Sequence, residues 1–347
     1  MPRLSRRDFL KTTAAGAGAL AVGALLDACG ATLPLPPATT SPQYPSPELP
    51  TAKPLFPTDT NPAPTETPPP PNSTQQPPPD IVVTRAGEPE ELVRRALAGL
   101  GGMEKFVSPG ARVVVKPNIC VDFRTYEYAA TTNPWVVGAL VKLCFEAGAS
   151  SVKVMDFPFN GTQEQAYQIS GIKEQVEDAG GEMAYMLSEH FISTDNPAGI
   201  VLKKTSVHED ILMTDVLINV PIAKNHGSSR LTLGMKNLMG VVLDRGAMHA
   251  DLAQCIADLS ALVRPQLTVI DAVRILTAYG PTGGSLNYVK KLDTLIASRD
   301  IVAADSYATS LFGMKPEDLA YIVAGTRMGL GRSDLQNLRI EEITLSM

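Results

Sequence analysis

The sequence predicts an α/β fold: a mainly parallel sheet flanked by helices, with a smaller inserted lobe admitted between residues 163 and 208. Two observations carry this. Short β-branched runs (within 112–116 RVVVK, 152–156 and 216–220) are mainly apolar without strict alternation, as strands covered on both faces are. They alternate with helix-length segments over short links, the order that gives right-handed crossovers and a parallel sheet.

Taken in order, 81–84 (IVVT) reads as a first strand. Glu88-Pro89-Glu90-Glu91 then opens a helix to about residue 100, its acids suited to the positive helix start. The strand 112–116 stops at Pro117-Asn118. Asn133 is an N-cap and Pro134 a first-turn proline for a helix ending near Gly148. The strand 152–156 runs into the loop Phe157 to Gly161. Residues 163–180 read as two short helices, and 182–187 and 200–205 as strands, the second an antiparallel edge. Residues 216–220 form a buried strand that Pro221, lacking an N–H, stops. Helical spacing follows through Leu252, Ile256, Leu259 and Val263 up to Pro265, over 248–263. A strand over 267–270 ends at Asp271, and a glycine-rich loop follows at 280–284. A strand at 294–298, helices at 303–312 and 316–326, and a strand at 338–345 complete the domain.

The first 80 residues stand apart. Ser5-Arg6-Arg7-Asp8-Phe9-Leu10-Lys11 resembles the twin-arginine (Tat) export signal, and the Ala/Gly-rich stretch 12–26 is too short and too weakly apolar to span a membrane stably. Leu26-Asp27-Ala28-Cys29-Gly30 resembles a lipobox in which Cys29 is lipidated; Asp27 departs from the small or apolar residue usual there. Residues 31–80 hold 18 of the 29 prolines, a composition that cannot bury a core and acts as an extended disordered linker. The expected domains are therefore 1–30 signal, 31–80 linker and 81–347 folded α/β domain. The chain is expected to leave the cytoplasm through the Tat translocase and to be held at the membrane as a lipoprotein. A net charge of −6 gives no nucleic-acid footprint. The cysteines Cys29, Cys120, Cys144 and Cys255 show no C-x-x-C spacing, so no iron–sulfur motif is present. Neither G-x-G-x-x-G nor a Walker A loop follows any strand, which disfavours NAD and ATP.

Chemistry concentrates in residues 215–251, which carry Lys224-Asn225-His226, Lys236-Asn237 and His249. Lys116 and Asn118 repeat the Lys/Asn pattern at an earlier strand end, and Asp156 and Asp271 place carboxylates at two more. Ligands of open α/β sheets bind at those carboxyl ends. The candidate catalytic residues are His226, Lys224, Lys236 and His249; the candidate ligand-binding residues are Lys116, Asn118, Asn225, Asn237, Asp156 and Asp271. The lysines supply charge for a small anion, the asparagines directed hydrogen bonds, and histidine an acid–base group near neutral pH. This reading requires Lys116, Lys224 and Lys236 to converge. A metal ion is the second option, through His226, His249 and a carboxylate among Asp156, Asp271 and Asp305, although no H-x-x-x-H spacing supports it.

Several stretches resemble the domain of unknown function 362 family: VVVKPN at 113–118, 131–156, LINVPIAKNHG at 217–227, LGMKNLMG at 233–240, and the later MHADLAQCIADL, TVIDAV, YGPTGG and ASRDIVAADSYAT. The resemblance covers nearly all of 81–347. Many members carry a ferredoxin-like cysteine cluster that this chain lacks, so no iron–sulfur role is implied. The family name conveys no activity. The architecture also resembles, faintly, nickel-pincer lactate racemases, which use Lys and His near strand ends. The alternative to an anion-directed enzyme or binding domain is a non-catalytic surface lipoprotein, a scaffold or solute-binding component.

Overall fold

A computed structural model describes residues 78–346. The signal, the lipobox with Cys29 and nearly all of the proline-rich stretch lie outside the described residues. The strands are β1 (Ile81–Arg85), β2 (Arg112–Pro117), β3 (Ser151–Val154), β4 (Glu182–Met183), β5 (Phe191–Asp195), β6 (Lys204–His208), β7 (Val216–Val220), β8 (Ile222–His226), β9 (Arg230–Thr232), β10 (Leu267–Leu276), β11 (Val289–Ser298) and β12 (Ile340–Thr344). The main sheet runs β12-β1-β11-β10-β7-β2-β3-β4, with β8 joined to β10 and β9. Contacts from β10 through β7, β2 and β3 to β4 are parallel; β11 is antiparallel to both its neighbours. The fold is thus α/β with a mostly parallel central sheet.

Strand alternation divides the apolar residues into two layers. Val113 and Val115 of β2, with Val216 and Ile218 of β7, face one layer with Leu92, Val93, Val136 and Leu140. Those helical residues belong to α1 (Pro89–Gly99) and α2 (Pro134–Glu146). Val114 and Leu217 face the other, with Met235, Ile256, Val302 and Ile322. Helices α6 (Gly234–Asn237), α7 (Leu252–Val263), α8 (Ile301–Ala308) and α9 (Ala320–Arg327) lie on that side; α3 (Gln163–Ile169), α4 (Ile172–Asp178) and α5 (Glu209–Met213) come earlier in the chain. Caps set several starts: Asn133 accepts from Trp135 N at 3.0 Å, and Asp300 accepts from Ala303 N at 2.9 Å. No helix among the described residues is long and apolar enough to cross a membrane.

Three expectations shift. The strand expected at 200–205 is β6, antiparallel to β5 in a separate two-stranded sheet. Residues 201 and 202 cannot join a ladder, because Asp258 accepts both of their N–H groups at 2.7 Å. Past Pro221, expected to stop the strand, residues 222–232 form the hairpin β8–β9. Proline ends the ladder with β2 at Val220, but its carbonyl still accepts from Asp271 N at 2.8 Å. The chain therefore continues extended along β10, pairing Ile222 with Asp271. Strand β10 itself runs on through Asp271 to Leu276, with an irregularity between Ala272 and Arg274.

Candidate functional site

At the carboxyl ends of β2, β3 and β8 lies a cavity of about 270 Å³. It is smaller than a typical drug-sized pocket and suits a compact ligand. Its floor is a continuous polar chain. Lys116, fully buried, holds Nζ 2.7 Å from Asp156 Oδ1 in an ion pair and donates to Asn237 Oδ1 at 3.1 Å. Asn118 Nδ2 donates to the same Asn237 oxygen at 2.9 Å, and Asn118 Oδ1 accepts from Lys224 Nζ at 2.8 Å. Lys224 also donates to Ala130 O at 2.6 Å. Asn237 Nδ2 donates to Asn219 Oδ1 at 2.9 Å, which fixes its orientation. Asp156 Oδ2 accepts from Ile119 N at 2.6 Å. Buried amides and charges joined in this way hold one geometry.

The walls carry further charge. Lys236, on α6, is only 9% exposed, and its ammonium touches no carboxylate among the described residues; its polar neighbour is Met239 Sδ at 3.7 Å. Burial, then the Lys224 ammonium, pushes the Lys236 pKa down to about 8. Burial also lowers Lys116, against the opposing pull of Asp156. Arg245 lays its guanidinium carbon 4.9 Å from the Phe157 ring centre and donates to Phe157 O at 2.6 Å. Among the described residues, four cations thus surround or underlie the cavity, against the single carboxylate of Asp156.

The two histidines differ in what they offer. His226 Nδ1 accepts from Ser228 N at 3.1 Å. Burial and the neighbouring ammonium groups push its pKa down to about 3, so it is neutral, and its Nε2 carries the proton as a donor. His249 Nδ1 faces the Arg245 carbonyl at 3.0 Å and must donate to it. With Nδ1 donating, the Nε2 of the His249 imidazole, when it carries no proton, is an acceptor. One donor and one acceptor imidazole line the same cavity.

The structure brings Lys116, Asn118, Asp156, Lys224, His226, Lys236, Asn237 and His249 to this one place, Lys116 beneath it and the rest lining it. It does not bring Asn225 or Asp271 to it. Asn225 Oδ1 accepts from Gly280 N at 3.2 Å and so anchors the loop whose Pro281 forms one wall; a Cβ on Gly280 would strike the Asn225 carbonyl. Asp271 is buried at the start of α2, accepting from Asn133 N at 2.7 Å and Val273 N at 2.9 Å, and burial raises its pKa to about 6. Asp305 likewise accepts from Gly234 N at 2.6 Å and Met235 N at 2.9 Å, holding the first turn of α6 and with it Lys236; burial raises its pKa to about 7. Among the described residues no three His, Cys, Asp or Glu side chains gather as metal ligands. Sequence reasoning passed over Cys120 and Arg245, which also line the cavity. The available signals were the position of Cys120 two residues past Asn118, and the four-residue spacing of Arg245 and His249.

A thylakoid-associated protein of Synechocystis sp. is 27% identical over 268 residues, covering 71% of this chain and 76% of that one. Among solved structures, the lactate racemase apoprotein of Thermoanaerobacterium thermosaccharolyticum matches with a TM-score of 0.38 at 13% identity, covering 61% of this chain and 53% of that one. A Thermotoga maritima protein matches with a TM-score of 0.35 at 12% identity, covering 65% and 60%. The chain thus spans about half the length of the racemase it matches. Residues 3–23 match the TAT (twin-arginine translocation) pathway signal sequence, which marks the chain for export from the cytoplasm. Residues 113–310 match the domain of unknown function DUF362, and the chain belongs to that family.

Proposed function

We propose that the exported domain binds a small organic anion in this cavity and acts on it by acid–base chemistry. The observation that carries the reading is Lys236: a nearly buried ammonium beside a second ammonium, with no carboxylate partner among the described residues. Burying an unpaired charge is costly, and an anionic ligand offsets that cost. Lys224 and Arg245 add charge around the same point. His226 as donor and His249 as acceptor supply the proton-handling pair. The leader completes the proposal: Cys29 is the lipidated end that holds the chain at the membrane, and residues 31–80 are the spacer carrying the domain away from it.

The test is calorimetric titration of the exported protein with acetate, malonate, succinate and inorganic phosphate. At least one of these anions is expected to bind. Lys236→Met should then weaken that binding by about 10- to 150-fold, the worth of a hydrogen bond to a charged group. Absence of binding for the whole panel, or equal affinity in Lys236→Met, refutes the reading.

A further inference from the structure

The anion-site reading leaves open what Lys236 does once a ligand is bound, and its surroundings differ from those of its neighbours. Lys116 is tied to Asp156, Asn237 and the Pro117 carbonyl. Lys224 is tied to Asn118 and the Ala130 carbonyl. Both ammonium groups are fixed by strong acceptors and are positioned to hold charge. Lys236 lines the same cavity, and its hydrogen-bond contact among the described residues is the Met239 thioether at 3.7 Å. Its helix is clamped by Asp305, so the base of the side chain is fixed while its tip is not.

Resting on the anion-site reading, we propose that Lys236 is an amine nucleophile that forms a Schiff base with a small carboxylate bearing a carbonyl group, a 2-oxo acid, whose carboxylate is held by Lys224 and Arg245. A lysine becomes nucleophilic when it is desolvated or placed next to another cation, because both effects favour the neutral amine. Both conditions hold here: burial and the Lys224 ammonium lower the Lys236 pKa to about 8, so a useful fraction is unprotonated near neutral pH. The step balances without a co-reactant. The amine lone pair adds to the carbonyl carbon to give a carbinolamine. The carbonyl oxygen then leaves as water with the two amine hydrogens, and a carbon–nitrogen double bond replaces the carbon–oxygen one. Nothing is oxidised or reduced. The donor Nε2–H of His226 and the acceptor Nε2 of His249 are suited to hydrogen-bonding the carbinolamine oxygen and relaying its proton. The cavity volume of about 270 Å³ suits a short oxo acid.

The experiment incubates the full exported protein with pyruvate or 2-oxoglutarate, with sodium cyanoborohydride as trap, and reads intact mass and a peptide map. Calorimetry with acetate and succinate runs beside it. One reduced adduct per chain, mapped to Lys236, is expected, with yield rising as pH passes through 8. Lys236→Arg has no comparable nucleophile and should lose the adduct, while calorimetry on the unaltered protein reports the anion site by itself. Anion binding without an adduct, an adduct spread over surface lysines, or an undiminished adduct in Lys236→Arg overturns the Schiff base and leaves the anion site standing. Loss of both binding and adduct in the unaltered protein overturns both readings.

Discussion

Replacing Asp156 by Asn tests the polar floor of the cavity directly. Lys116 is 0% exposed and Asp156 2%, and Nζ and Oδ1 are 2.7 Å apart. The substitution keeps the shape but removes the only carboxylate among the described residues that touches that ammonium. It also turns an NH2 group toward either Lys116 Nζ or the Ile119 N–H, both of which are donors. Breaking a buried pair by removing one partner leaves an uncompensated charge and costs about 3–5 kcal/mol, a roughly 150- to 5,000-fold fall in the folded-to-unfolded ratio. For a domain of this size that lowers the melting temperature by about 6–20 °C. Urea and thermal denaturation followed by circular dichroism measure it. The double variant Lys116→Met/Asp156→Asn removes both charges. It should recover at least half of the loss, although the Asn237 oxygen and Pro117 carbonyl each lose a donor. A loss under about 1 kcal/mol in Asp156→Asn, or costs that simply add in the double variant, would refute the reasoning.

Three further outcomes are expected. Lys236 loses its proton near pH 8 in the free protein, so anion affinity should fall as pH rises, by about tenfold between pH 8 and 9.5, and Lys236→Arg should flatten the profile; calorimetry at constant ionic strength checks this, and a flat profile in the unaltered protein contradicts it. Gly240 packs its backbone against the buried pair: a Cβ there would come within 2.6 Å of Lys116 Nζ and strike Asp156 Oδ1, so Gly240→Ala should cost about 1–3 kcal/mol in urea denaturation and weaken anion binding, and a neutral result argues against close packing at that point. Cys29→Ser should move the protein from the membrane to the soluble exported fraction, while Arg6→Lys/Arg7→Lys should retain it inside the cell; fractionation and blotting distinguish the two, and unchanged membrane association in Cys29→Ser removes the lipid anchor.

Much of the fold was legible in the sequence, because doubly covered strands must be largely apolar and helix starts need caps. The runs at 113–115 and 216–220 and the Asn133-Pro134 start mark their elements by composition alone. Where a side chain from elsewhere in the fold takes over the backbone hydrogen bonds, local reading misses: Asp258 displaces β6, and the length of β10 keeps the chain extended past Pro221. The same division holds at the site. Lys116, Asn118, Lys224, Lys236 and Asn237 could be singled out because Lys-Asn pairs recur at strand ends and in the glycine-punctuated segment that follows. Asn225 and Asp271 looked equivalent to them, yet one anchors a loop and the other caps the start of a helix. Only the tertiary structure decides which of these lysines has a carboxylate and which has none, since a charge's partner is set by what packs against it across the fold. That is why Lys116 holds the floor together, while Lys236, similar to it in local sequence, has its ammonium beside a thioether.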